Sequence, residues 1–189
     1  MNSKNPLDST GSRVPVKGLV RLMAMGVLAC MDLGCAITGV VHRADGSPAE
    51  VPLRADGSPG IERCSDEALK AMRILRLQPD IGAWIELDPY QIDESPITLT
   101  DGPLESLLDE ELVTLPVGTR LYGHVWTGGP VVVIRYYEAQ PPNSERVPIC
   151  GVVRWGPEDV NGKKLPGSPP GGALLKYSRA SMWIVRKFR

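Results

Sequence analysis

The sequence has few of the residues that most often build active sites. Its 189 residues include two histidines, four cysteines and one phenylalanine. It has no Gly-x-Ser-x-Gly nucleophile elbow, no His-Glu-x-x-His zinc motif, no phosphate-binding loop and no Cys-x-x-Cys pair. Kinase, nucleotide-binding and metalloprotease activities are therefore not supported, and we expect neither a bound metal nor a cofactor.

An excess of charge of one sign is also absent. Lysine and arginine total 21 against 22 acidic residues, which gives a net charge of −1. A chain so close to neutral lacks the basic excess that drives sequence-independent binding to nucleic acid, so no nucleic-acid partner is expected. Glycine and proline are abundant instead, at 20 and 18 residues. They favour turns and short strands over long helices.

Long hydrophobic runs are missing as well. Residues 22–30 are uncharged and follow a segment with four basic residues, but a membrane-spanning helix needs about 20 apolar residues. A basic segment followed by a short apolar run is typical of a secretory signal. We therefore interpret residues 1–36 as a leader and expect the protein to be exported.

The end of the apolar run predicts a lipid anchor. Residues 27–30 read Val-Leu-Ala-Cys and are similar to a bacterial lipobox, in which the cysteine is lipidated. We therefore predict lipidation at Cys30, with the protein facing the periplasm or held in the outer membrane. Cys35 is an alternative that fits less well, because Asp32 occupies the aliphatic position; ordinary cleavage after Ala36 is another. Membrane contact is expected through the lipid only.

A short tandem repeat follows the leader. The hexapeptide Arg-Ala-Asp-Gly-Ser-Pro occurs at 43–48 and again at 54–59. Asp-Gly and Ser-Pro are turn formers, and no apolar residue recurs here with a helical period. The pattern predicts a flexible tether over residues 37–62 and a single folded domain over 63–189.

The domain begins with its one predicted helix, over residues 65–76. Ser65 or Asp66 can cap its first turn, and Leu69, Met72 and Leu75 fall on one face. The helix should therefore pack an apolar stripe against a sheet.

Beyond the helix the hydrophobic period changes to two, which is typical of strands. The pattern predicts seven short strands, over 83–88, 96–100, 119–126, 131–137, 147–155, 173–177 and 182–188. The third and fourth form a hairpin around 127–130, segment 103–112 is ambiguous, and 160–172 is a long loop. The expected fold is mainly β, a small sandwich or barrel of about seven short strands with one N-terminal α-helix.

The tryptophans and cysteines of the body have structural interpretations. All four tryptophans lie in predicted strands, where packing is a simpler role than a sugar-binding platform. Cys64 and Cys150 are the two cysteines beyond the leader, and in an exported domain they predict a disulfide. A nucleophilic pair of either thiol with His124 is the alternative.

A weak candidate polar site is formed by Glu86, Asp88 and His124. The two carboxylates share a predicted strand face and could act as acid and base, although a solvated outer face is the usual outcome. No catalytic residue is assigned on this basis.

The body resembles a family of uncharacterised exported proteins from myxobacteria, usually predicted lipoproteins. The matching segments are 69–73, 101–103, 147–150 and above all 115–129, which reads LPVGTRLYGHVWTGG. Pro116 to Gly123 is also similar to the start of a strand in β-barrel domains of conjugation and secretion scaffolds. The family resemblance implies no catalytic residue.

Two function classes follow from the sequence. The first is a non-enzymatic envelope lipoprotein whose β-domain binds another envelope protein or polymer, or has a structural role there. The second is a small extracytoplasmic hydrolase acting on envelope polymer. A pocket that gathers Glu86, Asp88 and His124 would favour the hydrolase.

Overall fold

The structure, a computed structural model, describes residues 51–155 and 162–189. The leader, with Cys30 and Cys35, and residues 37–50 of the predicted tether lie outside these residues. Among the residues described, no helix is both long and apolar enough to cross a membrane.

The described chain contains one helix and eleven strands. In chain order these are β1 (Glu62–Arg63), α1 (Asp66–Ile74), β2 (Gly82–Glu86), β3 (Ile97–Thr100), β4 (Gly102–Leu108), β5 (Arg120–Trp126), β6 (Val131–Gln140), β7 (Val147–Arg154), β8 (Gly162–Lys163), β9 (Gly172–Leu175), β10 (Arg179–Ile184) and β11 (Lys187–Phe188).

Six of these strands close into an antiparallel barrel. Their order around the barrel is β2, β4, β5, β6, β7 and β10, and β10 pairs again with β2. Strand β8 pairs with the first residues of β6. Strands β3 and β9 form one separate two-stranded ribbon, and β1 and β11 form another. The expectation of a mainly β fold with one helix is confirmed, and the barrel is the alternative that the chain adopts.

The barrel interior follows from the alternation of side chains along each strand. Ile85, Leu121, Ile134, Val153 and Met182 point inward, and each is fully buried. The residues between them face outward, where the helix and the ribbons cover part of the barrel. The two-residue period therefore determines which side chains can form a site on the outer surface.

A pair of hydroxyl groups, on Ser106 and Tyr136, lies in this interior. The Ser106 hydroxyl donates to the Leu87 carbonyl at 2.6 Å and lies 2.6 Å from the Tyr136 hydroxyl. Burial raises the pKa of Tyr136, so the phenol stays neutral at any physiological pH.

Helix α1 confirms the predicted helix with slightly shorter bounds. The Ser65 hydroxyl caps it by accepting a hydrogen bond from the Ala68 amide at 3.1 Å. Met72 is buried and its sulfur lies 3.3 Å from the Cys150 amide nitrogen, so the helix packs on β7. Leu69 and Leu75 are partly buried against the same core.

The predicted disulfide is confirmed. Cys64 and Cys150 are bonded, with their Cα atoms 6.1 Å apart and a sequence separation of 86 residues. The bond joins the start of α1 to β7.

Residues 51–62 differ from the predicted tether because they pack on the barrel. Ser58 is buried, the Gly60 carbonyl accepts from the buried Arg135 at 2.7 Å, and Glu62 pairs with Phe188 in the β1–β11 ribbon. The repeat forms a turn, closed by the Gly57 amide donating to the Arg54 carbonyl, but composition alone could not show these long-range contacts. The domain start predicted at residue 63 is therefore corrected to include 51–62.

Smaller differences concern short elements. The ambiguous segment 103–112 is mostly strand β4, and the predicted loop 160–172 contains β8 and the first residue of β9. The last predicted strand, 182–188, is divided between β10 and β11. The hairpin around 127–130 is confirmed as the β5–β6 pair.

Candidate functional site

The structure does not bring the three predicted polar residues together. Glu86 lies on the outer face of β2 opposite Leu107 of β4, and Asp88 follows just beyond the end of β2. His124 lies on β5 opposite Pro103 of β4. Leu107 and Pro103 are four residues apart, which places His124 about 13 Å further along the sheet than Glu86.

His124 lies in a different environment, beside Trp126 and opposite Arg135 of β6. Its ring is tilted against Trp126 with the ring centres 4.4 Å apart, and its Nδ1 atom has no hydrogen-bond partner in the described part of the chain. Burial lowers the pKa of His124, and the nearby Asp101 carboxylate only partly opposes this effect. The alternative pairing of His124 with a cysteine nucleophile fails, because Cys64 and Cys150 are bonded to each other.

Glu86 instead supports an arginine on the outer face of the barrel. Its Oε1 atom lies 3.3 Å from Nε of Arg179, the residue directly opposite on β10. Arg179 also pairs through Nη2 with Asp109. The second oxygen of Glu86 is buried and has no hydrogen-bond partner among the described residues. Two carboxylates therefore compensate the single charge of Arg179.

Arg179 borders a surface cavity of about 450 Å³. Three aromatic residues and three charged residues line it, and we call it the aromatic cleft: Trp84, Asp93, Glu94, Trp155, Tyr177 and Arg179. Trp84 is 47% exposed and Tyr177 is 55% exposed. Large aromatic side chains left this open are a more informative signal than scattered apolar surface.

Strand geometry places one wall of the aromatic cleft. Trp84 points outward because it lies between the inward residues Ala83 and Ile85 of β2. Arg179 points outward at the start of β10 for the same reason, and its guanidinium carbon lies 5.8 Å from the centre of the Trp84 ring. Both side chains are therefore carried by strands of the barrel.

Asp88 organises the loop that forms the opposite rim. Its Oδ1 atom accepts from the Tyr90 amide at 2.8 Å, and its Oδ2 atom accepts from the Gln91 side chain at 2.6 Å. Gln91 is bonded in turn to both backbone groups of Thr98. Asp88 therefore positions the loop that carries Asp93 and Glu94.

A second connection holds that loop against Tyr177. The Ser95 hydroxyl donates to the carbonyl oxygen of Lys176. The Leu87 amide donates to the Ser178 carbonyl at 2.8 Å. The two segments that border the aromatic cleft are thus fastened to each other and to the end of β2.

The aromatic cleft carries an excess of negative charge. Asp93 and Glu94 form no ion pair within the described residues, whereas Arg179 is already shared between two carboxylates. Lys176 offsets part of the negative charge, with its Nζ atom 4.9 Å from the centre of the Tyr177 ring. Ring faces and unpaired carboxylates both attract cations.

The packing role expected for the tryptophans holds for some of them. Trp126 is buried, and Trp155 and Trp183 are partly buried against the core. Trp84 is the exception. No sequence pattern pointed to Asp93, Glu94 or Tyr177, because these residues come from separate loops that only the barrel brings together.

The titratable residues described form no metal centre: no group of three or more histidine, cysteine, aspartate or glutamate residues could hold an ion. No family model matches the chain, and no curated protein matches it. The resemblance to exported myxobacterial proteins stays a prediction.

Proposed function

We propose that the chain is an exported, lipid-anchored protein of the cell envelope, with a non-enzymatic role in binding another envelope component through the aromatic cleft. The observation that carries this proposal is the pair of half-exposed rings, Trp84 and Tyr177, held in one cavity by fastened loops. Preformed cavities with aromatic walls and a few charged groups are the usual form of binding sites.

The chemistry of the cleft favours a positively charged group on the partner. Asp93 and Glu94 supply negative charge at the rim. Each of the half-exposed rings already has a cation of this chain near one face, Arg179 at Trp84 and Lys176 at Tyr177, and a partner's cation would use the ring surface that remains open. A cavity of about 450 Å³ is large enough for an extended basic side chain but not for a folded surface. We therefore propose an envelope protein that inserts a lysine or arginine side chain.

Export is supported by the leader pattern together with the disulfide. Bonds such as Cys64–Cys150 form and persist mainly in oxidising compartments, including the bacterial periplasm. The proposed anchor is Cys30, which would hold the domain facing the periplasm or at the outer membrane.

The hydrolase alternative loses its expected geometry. It required Glu86, Asp88 and His124 in one concave site, yet His124 lies on another part of the barrel surface. Glu86 and Asp88 are each engaged in fixed contacts, with Arg179 and Gln91 respectively. Binding is therefore the better supported of the two classes.

Metabolic labelling with radioactive palmitate tests the anchor in cells that produce the full chain. Wild type and Cys35→Ser should incorporate label and fractionate with membranes, whereas Cys30→Ser should do neither. Label that is lost in Cys35→Ser but kept in Cys30→Ser would identify the other cysteine. A wild-type protein without label would refute the anchor altogether.

A further inference from the structure

A second cavity, of about 660 Å³, lies along α1 and has the opposite charge character. Arg73, Arg76 and Arg186 line it, over apolar side chains that include Leu69 and Met72. We call this set the basic groove. None of its lining residues is acidic.

The arginines of the basic groove differ from most others in the described chain. Five arginines elsewhere each pair with a carboxylate: Arg120, Arg135, Arg146, Arg154 and Arg179. Arg73, Arg76 and Arg186 have no such partner within the residues described. The acids of α1, Asp66 and Glu67, lie in its first turn, about 9 Å from Arg73 along the helix axis.

Arg76 occupies a backbone position that normally favours glycine. It follows the last residues of α1 with φ of 57°, and the Leu77 amide donates to the Met72 carbonyl at 2.8 Å. This is the Schellman ending of a helix, in which a glycine usually adopts the left-handed conformation. The chain keeps a long cationic side chain at this position despite the backbone cost.

The exposed face of α1 adds an apolar group to this charge. Lys70, Arg73 and Ile74 are neighbours on the helix surface by their spacing, and Ile74 is 72% exposed. Exposed apolar side chains beside clustered lysine and arginine are typical of surfaces that contact anionic membranes.

We propose that the basic groove, with Lys70 and Ile74, docks on the anionic phospholipid headgroups of the membrane that carries the anchor. Guanidinium groups match phosphate oxygens in a two-pronged geometry, and Ile74 would enter the boundary between headgroups and acyl chains. The chain as a whole is nearly neutral, but the basic groove has a local excess of positive charge. Membrane contact in this proposal therefore involves the protein surface as well as the lipid anchor. The inference rests on the proposed membrane location, but the experiment that tests it uses vesicles and does not require the lipid anchor.

Vesicle co-sedimentation tests this docking with the full chain carrying Cys30→Ser and Cys35→Ser, so that no lipid contributes. We expect binding to phosphatidylcholine vesicles that contain phosphatidylglycerol, little binding to pure phosphatidylcholine, and release at high salt. Arg73→Gln and Arg76→Gly should each weaken binding about fivefold. Arg54→Gln removes an exposed arginine elsewhere on the chain and should bind as the parent does. The leader is identical in all variants, so differences report the basic groove.

Arg76→Gly separates binding from stability. Glycine suits the left-handed backbone at this position, so the variant should be at least as stable as the parent.

Equal binding of Arg73→Gln, Arg76→Gly and the parent would overturn the proposal. Displacement by inorganic phosphate, but not by sodium chloride of equal ionic strength, would overturn it in favour of a small phosphate ligand. Binding to polyglutamate without binding to the vesicles would overturn it in favour of an acidic protein. If the wild-type protein incorporates no palmitate in cells but the basic groove still binds vesicles, the lipid anchor is refuted and the docking proposal stands.

Discussion

Arg135 and Glu62 form a buried ion pair on the outer side of the barrel, with Nη1 and Oε2 3.3 Å apart. Arg135 is completely buried although it lies on the outer face of β6. Its guanidinium group lies between the rings of Trp126 and Phe188, 5.4 and 4.9 Å from their centres, and also donates to the Gly60 carbonyl. This pair attaches the segment before α1 to the barrel.

Replacing Glu62 by glutamine should destabilise the protein by about 3 kcal/mol, because it leaves the buried Arg135 charge without its counter-ion. Glu105→Gln is the matched control, since the Arg120–Glu105 pair is largely exposed and should contribute under about 1 kcal/mol. Chemical denaturation of the full chain measures both. Equal, small losses would show that Arg135 does not depend on Glu62.

Removing the disulfide should cost about 4 to 5 kcal/mol, because the bond closes a loop with a sequence separation of 86 residues. The double variant Cys64→Ser, Cys150→Ser should therefore unfold at lower denaturant concentration than the parent. In a background with serine at positions 30 and 35, the native protein should show no free thiol. Two reactive thiols in the absence of reductant would refute the bond.

His124 should make stability depend on pH. Burial lowers its pKa in the folded state below the ordinary value near 6.5, so the unfolded chain binds the proton more tightly. The contribution is fully present above about pH 6.5 and is lost as the pH falls through the lowered folded pKa. Between pH 7 and 5, wild type should lose more unfolding free energy than His124→Gln. Parallel pH profiles for the two proteins would contradict this assignment.

Much of the barrel was predictable because its causes are local. Alternating residues on β5 and β6 and the Gly-Gly turn between them specify a hairpin, and Ser65 specifies the start of α1. The disulfide followed from the small number of cysteines. The two-residue strands β1 and β8 could not be predicted, because long-range pairing stabilises them more than residue preference does.

The candidate site was predictable only in fragments for the same reason. Glu86 and Asp88 do lie beside the aromatic cleft, but as supports for Arg179 and for the 88–96 loop. No short pattern connects Trp84 with Tyr177, since β10 and the β3–β9 ribbon bring these residues together across more than half of the described chain. Buried Arg135 was hidden as well, because a charge within a strand usually faces water.

The most direct test of cation binding by the aromatic cleft is a titration with a short lysine-containing peptide. The protein is the full chain carrying Cys30→Ser, and binding is followed by calorimetry and by tryptophan fluorescence. We predict saturable binding that is lost when the lysine is acetylated, since acetylation removes the charge but keeps the aliphatic stem of the side chain. Trp84→Ala and Glu94→Gln should each weaken binding about fivefold, the effect of about 1 kcal/mol of cation attraction. Binding of the lysine and acetyl-lysine peptides with equal affinity, or unchanged affinity in both variants, would contradict the assignment of the aromatic cleft as a site for a basic group.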